Sequence, residues 1–205
     1  MASTNGTLQL FLLKADGLTR CRWDGRSERV EDLSTALEGE TVREVARYGV
    51  NPRRLYAATL TEIHVSDDGG ENWKWVPSGG IDHRDIWAMA AHPTRTDEIY
   101  VGTLPAAIYV SENGGRSFRE LTDFRQLPAY GKWTFPPPPH VAHIRCITLD
   151  ARVPDEILVG IEEGGVARSR DRGASWEDIS GPSSQTAFPE FNDPAGILPY
   201  QMGQH

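Results

Sequence analysis

Two cysteines in 205 residues, Cys21 and Cys146, are too few for a disulfide framework, so a packed core must hold the fold and reduced thiols are the simpler state. Positive charge is in deficit. Twenty-one Lys and Arg stand against 29 Asp and Glu, for a net charge of −8, which argues against nucleic acid or an anionic membrane as partner. Long apolar runs are missing too. The N-terminal run at residues 8–13 is too short for a secretory core and no basic region precedes it, so the expected location is cytoplasmic. Helical periodicity is poor throughout, with one candidate turn near residues 33–37. The sequence contains no Gly-x-Ser-x-Gly elbow, phosphate loop or dinucleotide fingerprint, and no cofactor is expected. In His140-Val-Ala-His143-Ile-Arg-Cys146 the donors fall at three-residue steps, which on a strand sends His140 and His143 to opposite faces, so no metal site is expected.

What the chain has is a repeat. Ser66-Asp67-Asp68-Gly69-Gly70-Glu71-Asn72-Trp73 returns as Ser111-Glu112-Asn113-Gly114-Gly115-Arg116-Ser117-Phe118, and again as Ser169-Arg170-Asp171-Arg172-Gly173-Ala174-Ser175-Trp176. Internal repetition outranks other sequence signals. Each copy reads as a tight hairpin turn. Gly70, Gly115 and Gly173 supply a backbone angle that other residues resist, and Asp68, Asn113 and Asp171 accept hydrogen bonds from turn amides. Ser66, Ser111 and Ser169 add a side-chain bond, while Trp73, Phe118 and Trp176 are expected to pack inward.

On these residues the chain resembles the Asp-box, or BNR, repeat family of β-propellers, which includes sialidase-like, sortilin-like and photosystem II assembly factor-like members. The resemblance covers roughly residues 8–180. It implies an all-β propeller of four-stranded blades, with each Asp-box capping the hairpin between the third and fourth strands, away from the ligand-binding face. The motif is structural wherever it occurs and does not name an activity. The sialidase-like members carry an Arg-Ile-Pro motif that is missing here, since Arg20, Arg22 and Arg26 sit in no such context, and this departure weighs against sialidase activity.

Strand and turn signals then divide residues 1–180 into blades. Residues 7–33 form an incomplete blade whose first strand is absent, and residues 41–77, 84–122 and 140–180 form three full blades. Ser66 to Ser111 spans 45 residues and Ser111 to Ser169 spans 58. The excess is an insertion at residues 123–139, rich in proline and aromatics. Residues 181–205 read as an irregular tail leading toward further blades. A partial propeller leaves open strand edges, so self-association is expected.

Connectivity places the loops between blades and the second-to-third-strand loops on the face opposite the Asp-box turns. Superposing the repeats puts Glu44, Asp85 and His143 at the start of each innermost strand, with Arg43 and Arg84 before the first two. Glu162 lies on a matching loop, the insertion brings Tyr130 and Trp133 over the same surface, and His140, directly after it, is a further candidate for ligand binding. This mixture of charge, imidazole and aromatic rings suits a protein or a polar ligand such as a glycan. Adjacent Glu162 and Glu163 face opposite ways on a strand and cannot be the two carboxylates a glycosidase sets across a bond. The expected function is a non-catalytic binding or assembly module, with no catalytic residue assigned; the alternative is a glycoside hydrolase-like, exo-sialidase-like enzyme with part of its catalytic set outside this chain.

Overall fold

The computed structural model describes residues 7–25, 29–47, 49–82 and 85–181. The chain is an all-β propeller segment of four antiparallel sheets laid side by side. The first is three-stranded: β1 (Thr7–Lys14), β2 (Gly17–Asp24) and β3 (Arg29–Ala36). Three four-stranded blades follow: β4 (Val42–Arg47) to β7 (Lys74–Val76) through β5 (Leu55–Thr59) and β6 (Ile63–Ser66); β8 (Asp85–Ala91), β9 (Ile99–Leu104), β10 (Ile108–Ser111) and β11 (Arg119–Glu120); and β12 (Ile144–Leu149), β13 (Ile157–Ile161), β14 (Gly165–Ser169) and β15 (Glu177–Asp178). We call the four sheets blades 1 to 4.

In blades 2 to 4 each strand pairs with the next in sequence, the first strand innermost. β5 lies against β8, and β9 against β12; β1 lies against β4 in the same way. β1 therefore holds the second position of its blade, and among the described residues nothing stands in the first. No helical turn forms near residue 35. β3 runs through to Ala36, and Leu37 ends it with a φ of 53°.

The core lies between blades because alternate residues of each strand face opposite neighbours. Tyr56, Ala58 and Val76 of blade 2 meet Ile86, Met89 and Val101 of blade 3 in one buried cluster. Tyr100, Ile108 and Val110, from the other side of blade 3, meet Ile144, Val159 and Ile161 of blade 4 in a second. Close approach requires a glycine at Gly102, among other positions, where a Cβ would fall 2.4 Å from Ile144.

The three repeated turns join third strands to fourth and share one hydrogen-bond scheme. Ser66, Ser111 and Ser169 are each 1% exposed. Their hydroxyls donate to Asp68, Asn113 and Asp171 at 2.8, 2.9 and 2.8 Å. The same oxygens accept the N–H of Gly70, Gly115 and Gly173 at 2.8, 2.9 and 2.7 Å. These glycines have φ of 87°, 89° and 85°, the left-handed region that disfavours a side chain. Each turn is also pinned to the first-to-second-strand turn of its own blade: Gly69, Gly114 and Arg172 N–H donate to the carbonyls of Arg53, Asp97 and Asp155.

Asp68 accepts from the backbone N–H and the side-chain amide of Asn72 and from Ser66, bonds that hold its carboxyl well below the ordinary 3.8. Asp171 is lowered by the Ser175 hydroxyl and backbone N–H. Blade 3 closes the same ring with the roles reversed, Asn113 Nδ2 donating to Ser117 Oγ at 2.7 Å.

The aromatic residues that end the turns are not equally covered. Phe118 is 7% exposed, whereas Trp73 and Trp176 are half-buried. The difference is a covering segment: residues 79–80 lie against Phe118, whose N–H donates to the Gly79 carbonyl at 2.8 Å, and the ring joins the blade 2–blade 3 cluster. Trp176 recovers a bond by donating from Nε1 to the Gly173 carbonyl at 3.2 Å.

Two expectations follow. Ser66→Ala, Ser111→Ala or Ser169→Ala leaves a buried glycine N–H without an acceptor, so each should cost about 1–3 kcal/mol in denaturant unfolding; a loss within error at all three would remove the serine from its supporting role. Because the folded-state carboxyls of Asp68 and Asp171 lie below their unfolded value, their contribution is complete above about pH 4 and is lost as pH falls through the folded values. The Asp68→Asn, Asp171→Asn double variant should therefore show a shallower loss of stability between about pH 4 and about pH 2 than the parent. An unchanged slope would place the acid sensitivity elsewhere.

Candidate functional site

The end of the blades opposite the three repeated serine turns carries a cleft built by three equivalent bulges. The pairing of first and second strands slips by one residue between Val42 and Glu44, between Ile86 and Ala88, and between Ile144 and Cys146. A bulge inserts an unpaired residue and re-aims its side chain. The inserted residues are Arg43, Trp87 and Arg145, and all three line a cleft of about 410 Å³, with Val42, Phe135, His143 and Glu162.

The side chains stack across blades. The Arg43 guanidinium carbon lies 4.0 Å from the centre of the Trp87 ring. On the blade 4 side, Trp87 and His143 have ring centres 3.9 Å apart and planes tilted by 41°. Phe135, from the insertion, meets His143 edge-on at 5.0 Å. Arg145 pairs with Glu162 at 3.4 Å, and the Glu162 N–H donates to the His143 carbonyl at 3.1 Å. An arginine over an indole gains cation–π attraction while its N–H edge stays available.

Polar groups here are buried but unpartnered. His143 is 1% exposed, and neither of its ring nitrogens has a hydrogen-bond partner. Arg43 Nε, Trp87 Nε1 and Asp85 Oδ1 are likewise enclosed without partners. Burial of the imidazole is the chief cause lowering its pKa, with Arg145 and Arg43 adding to the shift while Glu162 and Asp85 oppose it, so His143 is a neutral ring near neutral pH. Glu44 is shifted the other way, its carboxyl raised by burial against the Val45 N–H bond and the Arg145 charge.

The residues singled out from sequence scatter around this cleft. Arg43, His143 and Glu162 line it. Asp85 precedes Ile86 as His143 precedes Ile144, so these two are equivalent, but Glu44 is not their counterpart. The bulges pair Glu44 with Ala58 as Ala88 pairs with Gly102 and Cys146 with Gly160, and the residue matching Asp85 and His143 is Thr41. Arg84 lies outside the described residues. Tyr130 and Trp133 do not line the cleft. They pack with Phe124 on the blade 3–blade 4 core, ring centres 6.1 and 5.4 Å from it, and the Tyr130 hydroxyl donates to the Ala106 carbonyl at 2.8 Å. His140 is exposed, with φ of 63°, and its Nδ1 lies 3.1 Å from the Phe135 carbonyl, closing the proline turn. Sequence reading missed Trp87, Phe135 and Arg145. Aligning the repeats on the apolar residues Val42, Ile86 and Ile144 would have found Trp87 and Arg145.

The insertion is ordered by its own small core. Two 3-10 turns, Thr122–Gln126 and Tyr130–Lys132, fold Phe124 inward to 0% exposure. Arg125 pairs with Glu120 on β11. The insertion is thereby fixed on blade 3, and Phe135 is carried to the cleft rim.

Comparison with known proteins agrees with this architecture. No protein-family model matches the chain. The oligoxyloglucan-reducing end-specific xyloglucanase of Emericella nidulans is 30% identical over 205 residues, covering 88% of this chain. The chain spans 24% of that enzyme's length. Vacuolar protein sorting/targeting protein 10 of Ajellomyces capsulatus is 30% identical over 69 residues, 34% of this chain and 4% of that protein. Among solved structures, the GH74 xyloglucanase from Xanthomonas campestris superposes with a TM-score of 0.61 at 16% identity, covering 86% of this chain and 30% of that one. YCF48 from Cyanidioschyzon merolae superposes with a TM-score of 0.52 at 16% identity, covering 85% and 59%. These likenesses show the fold. The chain is a β-propeller segment, of the kind that the repeated turn implied.

Phe124→Ala removes the centre of the insertion's packing and should cost about 3–5 kcal/mol. Denaturant unfolding checks this, and a change below about 1 kcal/mol would mean that the insertion stands apart from the blade core.

Proposed function

We propose that this chain is a binding segment of a propeller, non-catalytic in itself, and that the cleft between Arg43, Trp87, His143 and Glu162 takes a polyhydroxylated ligand, a glycan. The observation that carries the reading is His143, a buried ring at the cleft with both nitrogens unpartnered. Buried polar groups are ordinarily satisfied, and orphaned ones call for an explanation. The orphaned atoms of the cleft lining are the donors Arg43 Nε and Trp87 Nε1, and neutral His143 supplies one donor and one acceptor. A carboxylate answers only donors, whereas a hydroxyl donates and accepts, so a sugar matches the whole set. A sequence relative that acts on xyloglucan supports the same class of ligand.

One observation favours a hydrolase as second reading. Glu44 is a carboxyl raised by burial, the condition a general acid needs. Binding is preferred because Glu162, the carboxylate in the cleft wall, is paired with Arg145.

The test is a calorimetric titration with neutral xyloglucan oligosaccharides, an acidic peptide serving as the comparison. Saccharide should bind, and Arg43→Ala and His143→Phe should each weaken it by about tenfold or more, the loss of one good hydrogen bond to a charged or buried group. Asp171→Asn, at the opposite end of the blades, should leave affinity unchanged. Peptide binding without saccharide binding would overturn the ligand class, and unaltered affinity in both cleft variants would overturn the site. Release of reducing ends by the parent but not by Glu44→Gln would favour the hydrolase.

A further inference from the structure

Trp75, on the outermost strand of blade 2, is 57% exposed, more than any other large apolar side chain among the described residues. In the strand ladder it pairs with His64. The neighbouring pair, Ile63 and Val76, belongs to the core between blades 2 and 3. Alternation therefore turns His64 and Trp75 the other way, side by side on the blade 1 side of the sheet. The same ladder position pairs Tyr109 with Glu120 in blade 3 and Ala167 with Asp178 in blade 4. Two blades thus accommodate an acid at this place, and a large ring is not needed to build the ladder. A ring left in water where the repeat carries charge marks a contact surface.

The ring is also held in place and joined to the cleft. Its Nε1 donates to Glu62 Oε2 at 2.7 Å. Glu62 belongs to the turn between β5 and β6, where its N–H donates to the Thr59 hydroxyl at 3.1 Å and its carbonyl accepts the Thr59 N–H at 2.9 Å. Thr59 in turn pairs with Val42 of the cleft wall. A line of bonds therefore runs along the cleft end of blade 2 out to Trp75. From β4 to β7 is three strand steps, about 14 Å. His64 repeats beside Trp75 what His143 does beside Trp87: it is 8% exposed, and its Nδ1 is enclosed without a partner. We propose that Trp75 is a stacking platform for a second sugar of the same glycan that the cleft holds, so that this end of blade 2 selects chains over single sugars. The proposal rests on the glycan reading of the cleft. An indole face is apolar, as is the C–H face of a pyranose, and the two can stack while the sugar hydroxyls stay in water. Because Glu62 already orients the indole, little ordering is left to oppose binding. A single sugar cannot reach from Arg43 to Trp75, whereas a chain of several can.

Calorimetric titration of the full chain with two neutral probes tests this: the xylose–glucose disaccharide isoprimeverose and a long xyloglucan oligosaccharide. The parent should bind the long probe about tenfold more tightly than the disaccharide. Trp75→Ala should remove that excess, leave the disaccharide affinity unchanged and melt as the parent does, since the ring is mostly in water. Trp75→Phe keeps an aromatic face and should keep most of the excess. Arg43→Ala, in the cleft, should weaken both probes. Parental affinity of Trp75→Ala for the long probe, with the Arg43→Ala loss intact, would overturn the platform and leave the cleft reading standing. An equal loss of both probes in Trp75→Ala would show the ring acting through the fold, and a Trp75→Phe protein as weak as Trp75→Ala would exclude stacking; either overturns the proposal. A parent that binds neither saccharide would overturn the cleft reading and the platform together.

Discussion

The fold rests on a buried serine hydroxyl used three times. A hairpin between the third and fourth strands must reverse the chain where a glycine N–H turns into the protein, away from water. A backbone donor there costs about as much as a lost hydrogen bond unless something accepts it. Ser66, Ser111 and Ser169 accept it, while each hydroxyl is oriented by the hydrogen bond that it donates to Asp68, Asn113 or Asp171. The aspartate or asparagine in turn gathers the amides of the following turn, so one side-chain ring sets the outer hairpin. The fourth strand is two or three residues long and contributes few ladder bonds of its own. Without the turn it would have little to hold it.

The rigid turn end leaves the other end of the blades free to vary. Each inner strand enters with a bulge at the same place, and a bulge side chain is not committed to either interblade face. The three positions hold Arg43, Trp87 and Arg145, two guanidinium groups and an indole on the same bulged register. That is the pattern expected where scaffold and site are separable: the backbone irregularity is shared by the blades, and the side chain is where they differ. The stack of Arg43 on Trp87 on His143 crosses three blades, so the cleft exists only when the blades are assembled.

The blades and their order were legible in the sequence because turn chemistry is local. Serine, an acid or amide, and glycine at fixed offsets satisfy one another within eight residues, and no distant contact is needed to read them. The cleft was only partly legible. Arg43, His143 and Glu162 follow from connectivity alone, but Glu44 was matched to Asp85 and His143 by its charge at the strand start, three positions from its structural counterparts Ala88 and Cys146, whereas the apolar residues Val42, Ile86 and Ile144 carry the true register. Tyr130 and Trp133 misled for another reason. Aromatic residues on a long loop fit a binding surface or the private core of that loop equally well, and Phe124, completely buried, decides for the core.

Position 172 shows how an interface overrides the repeat. Gly69 and Gly114 hold the first left-handed position of their turns, with φ of 83° and 72°, and blade 4 has Arg172 there, with φ of 61°. An arginine in that region is strained relative to glycine. Its guanidinium reaches across to blade 3 and donates to Glu98 at 2.6 Å and to Glu112 at 2.8 Å. Glu98 is 3% exposed and also accepts from Tyr100 at 2.7 Å and from Arg95 at 3.3 Å, while Arg95 pairs with Asp155 of blade 4. Glu98 thus meets two guanidinium groups, and the short charge-assisted bond from Arg172 offsets the cost of one unfavourable backbone angle. The left-handed position of this turn therefore carries a residue that adds to the ion pairing at the junction between blades 3 and 4. That junction also carries His143 and the insertion, so the ion pairs of Arg172 at the turn end support the blade contact on which the cleft at the opposite end depends.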